Sequence, residues 1–75
     1  MFSKELFGLR LREARKKSGE PQNVIAGILG VTVTQISEME NGKKTTTAEK
    51  IALICAHYKI SADYLLGLED EEPPL

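Results

Sequence analysis

Apolar residues recur along this chain at helical spacing rather than strand spacing. Phe7, Leu11 and Ala14 lie at i, i+4 and i+7, one face of a first helix. Phe2, Leu6 and Leu9 form a second stripe beside them, so that helix is apolar over a wide arc. Ser3 stands at its start as a cap, and Gly19, just past Lys17, is a stop signal. Gly8 inside it is expected to cost about 1 kcal/mol relative to alanine. From Gln22 to Met39 the pattern tightens into two short helices broken by a turn. Ile25, Ala26 and Leu29 share one face, and Gly30 ends that helix by entering the left-handed region. Thr32, with Gln35 three residues on, is a capping-box pattern for the next helix. Ile36 and Met39 return to the apolar face. Ala26 falls where the two helices would cross, and a small side chain lets their backbones approach.

The remaining chain continues in the same way. Asn41-Gly42 ends the third helix, since both residues tolerate the left-handed region. Thr46 with Glu49 predicts the cap of a fourth helix reaching about Tyr58. Ala48, Ile51, Ala52, Cys55 and Tyr58 share its inward arc, with Ile54 beside it. Ser61 caps a short fifth helix containing Tyr64, Leu65 and Leu66, and Gly67 closes it. The expected fold class is therefore all-α, a compact five-helix domain.

Two surfaces stand out against that pattern. With Ile36 and Met39 inward, the 3.6-residue period turns Val33, Thr34, Ser37 and Glu38 outward. This face is polar, short-chained and not strongly basic, which suits close approach to base edges in a major groove. Pro21 suits the first position of helix 2, and Gln22 and Asn23 lie at that helix N-terminus, where N–H groups and the dipole attract anions. Plain solvent exposure is the alternative reading for each of these residues.

Length and charge refine the picture. Seventy-five residues make one small domain with a marginal core. Cys55 is the single cysteine, so no internal disulfide forms and a reducing cytoplasm is expected. On the fourth helix it reads as a small buried apolar residue rather than a nucleophile. No apolar run approaches the ~20 residues that span a bilayer, and MFSKELFG lacks a signal-peptide core. A net charge of −1 speaks against nucleic acid until its distribution is considered. Glu69, Asp70, Glu71 and Glu72 form a terminal acidic block. Residues 1–68 hold all 10 Lys and Arg against seven acids, a balance of +3. Arg10, Arg12, Arg15, Lys16 and Lys17 cluster on helix 1, and Lys43 with Lys44 makes a second basic site. Taken alone, the first cluster reads more readily as a solvated helix face. The expected division is a domain over 1–68 and an acidic, proline-containing, disordered tail over 69–75, which would weakly compete for the basic face.

Catalysis has little support. Cys55 and His57 are two apart and point in different directions on a helix. No Cys, His and acid cluster shows metal spacing, and no glycine-rich phosphate loop is present. The expectation is a non-enzyme with no catalytic residues, no metal, no cofactor, no small-molecule ligand and no membrane partner.

The run QNVIAGILGVTVTQISEM, continued without gaps into Glu40-Asn41-Gly42-Lys43, resembles the helix-turn-helix of the phage-repressor/Cro-like (XRE) family. The resemblance covers the chain from helix 1 to about Leu66. It implies a lambda-repressor-like domain with helices 2 and 3 as the helix-turn-helix, a transcription regulator, usually a repressor, binding double-stranded operator DNA as a homodimer. By family position Val33, Thr34 and Glu38, on the outward face with Ser37, would contact bases. Gln22, Asn23, the backbone at Asn41, and Lys43 and Lys44 would contact phosphate. Arg15 would pair with Glu40 inside the fold. Two departures are Pro21, where many relatives carry a capping Thr or Ser, and Glu38, where Arg or Gln is commoner. Tyr64, Leu65, Leu68 and Phe2 are the apolar residues available for a dimer patch, or they close the core. The alternative reading, carried by Glu38 and the low net charge, is a protein–protein module of the same shape, such as an antitoxin-like partner.

Overall fold

Hydroxyl side chains set most helix starts in the computed structural model, which describes residues 1–70. Ser3 Oγ accepts from Leu6 N and opens α1, Lys4–Lys17. Thr32 Oγ1 accepts from Gln35 N while Gln35 Oε1 accepts from Thr32 N, a closed capping box that opens α3, Val33–Glu40. Ser61 opens α5, Ala62–Leu65, through Tyr64 N. Between them lie α2, Gln22–Leu29, and α4, Ala48–Tyr58. Two starts differ from the sequence expectation. Thr47, not Thr46, caps α4 and accepts from Lys50 N. Three threonines in a row offer equivalent caps locally, and the packing of Ile51 and Ile54 on the core decides among them. Pro21 is the N-cap of α2 rather than its first residue, with extended backbone at φ −75° and ψ 167°.

The core gathers one face from every helix. Phe7 and Leu11 of α1, Ile25 of α2, Ile36 of α3, Ile54 of α4 and Leu65 of α5 are all fully buried. On α4 the buried centre is therefore Ile54, flanked by half-buried Ile51, Cys55 and Tyr58, whereas Ala48 and Ala52 are exposed. The inward arc is rotated from the expected one, because the larger Ile54 takes the position the alanines would leave half-filled. Burial pushes the Cys55 thiol up, away from the thiolate a nucleophile needs.

Two residues of α1 do work that their local sequence does not announce. Gly8 lies against the end of α3: a Cβ there would stand 2.2 Å from the Met39 carbonyl oxygen and 2.8 Å from that of Glu40. Its cost within the helix is offset by the close crossing of α1 and α3 that it permits. Arg10, counted above in the basic cluster, is only 9% exposed. Its guanidinium donates to the carbonyls of Tyr64, Glu69 and Asp70 and packs over the Tyr64 ring. Glu69 and Asp70, expected within a disordered tail, are thus tied to the domain by their backbone. Residues 71–75, the rest of that tail, lie outside the described residues. Phe2, Leu9 and Leu68 remain exposed, while Leu65 is fully buried and unavailable to a dimer patch. Among the described residues no helix is long and apolar enough to cross a membrane.

Candidate nucleic-acid interface

The turn between α2 and α3 is made by one left-handed glycine. Gly30 has φ 68° and ψ 32°, and Val31 N returns to the Ala26 carbonyl at 3.0 Å. Such a closure satisfies carbonyls that the last turn of a helix leaves open. It sends the chain straight to the Thr32 cap, so α3 leaves α2 after three residues. Ile36 and Met39 then seat α3 on the core, 0% and 3% exposed.

The far end of α3 is held by a buried ion pair. Arg15 Nε donates to Glu40 Oε2 at 2.6 Å, and Arg15 Nη2 donates to Glu40 Oε1 at 3.0 Å. The side chains are only 12% and 3% exposed. Arg15 Nη1 also donates to the Glu20 carbonyl at 3.0 Å, so one guanidinium joins α1, the α1–α2 loop and α3. The bidentate bond to Glu40 holds the Arg15 proton more tightly than in a free side chain. Gln22 Nε2 donates to Glu40 Oε1 at 3.1 Å. The side chain given a phosphate role by resemblance therefore points at Glu40. Asn23 is exposed beside it. No side chain caps α2; Val24 N donates to the Pro21 carbonyl, and among the described residues the N–H groups of Gln22 and Asn23 have no such bond and are open to an anion.

Seated in this way, α3 turns Val33 and Thr34 to solvent, with Val33 44% exposed, while Ser37 and Glu38 are half-buried. The loop after the helix folds back over that end. Asn41 N donates to the Ser37 carbonyl and Lys43 N to the Glu38 carbonyl. Asn41 Nδ2 reaches Ser37 Oγ at 3.4 Å, and Lys44 Nζ lies 3.6 Å from Glu38 Oε1. Asn41, Lys43 and Lys44 are exposed along one edge of the outward face, and the α2 N-terminus lies at the start of the same two-helix unit. The basic cluster of α1 divides: Arg10 and Arg15 are spent inside the fold, and Arg12, Lys16 and Lys17 are exposed.

A further polar contact was not foreseen. His57 Nε2 lies 2.8 Å from Glu20 Oε1, tying the end of α4 to the loop before α2. Thirty-seven residues separate the two, and neither stands in a motif, so no local signal marks them. Beside them, burial and the Glu20 carboxylate push the Tyr58 phenol up to about 12.

Comparison with known proteins agrees with this geometry. The Helix-turn-helix family profile matches residues 11–65. The HTH-type transcriptional regulator ImmR of Bacillus subtilis (strain 168) is 32% identical over 63 residues, which cover 84% of this chain and 50% of that protein. The uncharacterized HTH-type transcriptional regulator YobD of the same organism is 29% identical over 65 residues, 87% of this chain and 58% of that one. The chain thus spans about half the length of these curated relatives. Among solved structures, the P22 c2 repressor in complex with a synthetic operator superposes with a TM-score of 0.77 at 28% identity, covering 84% of this chain and 96% of that one. Five packed helices, a glycine turn between α2 and α3, and a profile match over most of the sequence place the chain in the helix-turn-helix family.

Proposed function

We propose that this protein is a sequence-specific double-stranded DNA-binding transcription regulator that acts as a repressor in the cytoplasm. One observation carries the reading: α3 is anchored on its inner side by Ile36, Met39 and the Arg15–Glu40 pair, yet presents Val33, Thr34, Ser37 and Glu38 on its outer side. A rigid helix with a short polar face fits the major groove, about 12 Å wide in B-DNA. Val33 packs on a thymine methyl, and Thr34, Ser37 and Glu38 bond base edges. The first turn of α2 at Gln22 and Asn23, the backbone at Asn41, and Lys43 meet flanking phosphates and set the register. The domain reads few base pairs, so it works as a homodimer on half-sites about 34 Å apart. Phe2 and Leu68, both exposed, are available to that contact. Nothing in the site calls for catalysis. The neighbour bound to a synthetic operator and the regulators among the relatives support the same reading.

Selection of bound duplexes from a random pool tests it in one step. The expected result is a two-fold symmetric site. A protein–protein module of the same shape is favoured by the Glu38 carboxylate on the outer face and the net charge of −1. Counterion release separates the two, because a phosphate-gripping protein loses affinity steeply as salt rises. No duplex binding at low salt would remove the DNA reading in favour of the module.

A further inference from the structure

We propose that Lys44 is a positioning residue for Glu38, and that the pair makes the C-terminal end of α3 a reader of a cytosine amino group. The proposal rests on the DNA-binding reading above and specifies which base one position of the face selects. Glu38 follows Thr34 by four residues, so both lie on the same strip of α3. A bare carboxylate there would be repelled by the phosphates on either side of the groove. Lys44 Nζ, 3.6 Å from Glu38 Oε1, cancels that charge locally. The contact engages Oε1, and Oε2 has no hydrogen-bond partner among the described residues.

Backbone contacts bring the lysine there. Lys43 N donates to the Glu38 carbonyl at 2.9 Å, and Asn41 N donates to the Ser37 carbonyl at 3.0 Å. Residues 41–44 are therefore folded back along the helix end, and Lys44 follows directly from Lys43. The pair is 61% and 33% exposed, and exposed ion pairs add little to stability. Its consequence lies in charge and orientation at the reading face. Lys43, in contrast, has no carboxylate partner among the described residues and keeps its charge for phosphate.

The base chemistry then selects one partner. In the major groove cytosine offers the N4 amino group as a donor, while guanine and thymine offer acceptors that repel a carboxylate. Adenine also offers an amino group, but its N7 acceptor stands beside it. A glutamate held by a lysine at this place favours cytosine.

The test compares wild type with E38Q, K44A, K44R and K43A on duplexes carrying each base at every position of the selected site. Circular dichroism first establishes that each variant is folded. Wild type should prefer cytosine at one position of each half-site, on the order of ten-fold over the other bases. E38Q should move that preference toward adenine, since glutamine pairs with its N6 and N7. K44A should flatten it, and K44R should keep it. K43A should weaken all duplexes alike and lower the salt slope by about one. A K44A variant that behaves like K43A, or a cytosine preference that survives E38Q, overturns the assignment while leaving DNA binding intact. A wild-type protein that binds no duplex overturns both.

Discussion

Glu40 is the residue on which the site's geometry turns. It is 7% exposed, yet it accepts two bonds from Arg15 and one from Gln22. Together these donors answer the cost of burying a carboxylate. Removing one partner leaves the other charge buried, so Arg15→Ala should lower stability by about 3–5 kcal/mol, read as a loss of Tm. Burial, helped by the Glu20 carboxylate, pushes the Tyr58 phenol up to about 12 from an ordinary 10.0. Its neutral form is the one the fold favours. That contribution is complete below the unfolded value and is lost as pH rises toward the folded one. Chemical denaturation from neutral pH to beyond pH 10 should therefore show stability falling more steeply in wild type than in Tyr58→Phe. At the outer face, Thr34→Ala should cost about 1–3 kcal/mol at a single operator position while other positions keep their preference. Equal losses on every duplex would deny Thr34 a base.

Helix ends show what local sequence does and does not encode. Ser3, Thr32 with Gln35, and Ser61 are caps in the sequence and caps in the structure, because a cap bond is closed within three residues. The α4 start shows the limit: Thr45, Thr46 and Thr47 are chemically alike, and Thr47 takes the cap only because Ile54 must reach the core. Thr47→Ala should accordingly cost about 1 kcal/mol of stability and Thr46→Ala much less, measured by denaturant unfolding. The reverse order would restore the sequence-based cap. Gly8 shows the same limit. Its helix-interior cost is local, but the reason for keeping it is the Met39 carbonyl on another helix.

Across the molecule, the five-helix plan was legible because each apolar stripe repeats at helical spacing and the glycine turn and capping box fall in sequence order. The outward face of α3 followed from the inward placement of Ile36 and Met39. Of the long-range polar contacts, the Arg15–Glu40 pair was expected only through the family resemblance, and those of Arg10 and His57 were not legible. Arg10 looked like one of five clustered bases, yet it reaches carbonyls 54 to 60 residues away, and His57 reaches Glu20 across the loop before α2. A charged side chain carries no sign in its sequence neighbours of whether it will meet solvent or a distant carbonyl. Arg10 closes the end of the domain over α1. Arg10→Ala should lower stability on the order of 2–3 kcal/mol, with faster amide exchange at Leu68, whose N–H donates to the Asp63 carbonyl. Unchanged exchange there would mean that the segment is held without the guanidinium.

On the proposed function, the outer side of α3 is the surface that meets DNA. Amide chemical-shift mapping of the folded protein against a selected duplex addresses it directly. The largest shifts should fall at Val33, Thr34, Ser37 and Glu38, with a second group at Gln22 and Asn23. Shifts gathered on another face, with those residues unmoved at saturation, would contradict it.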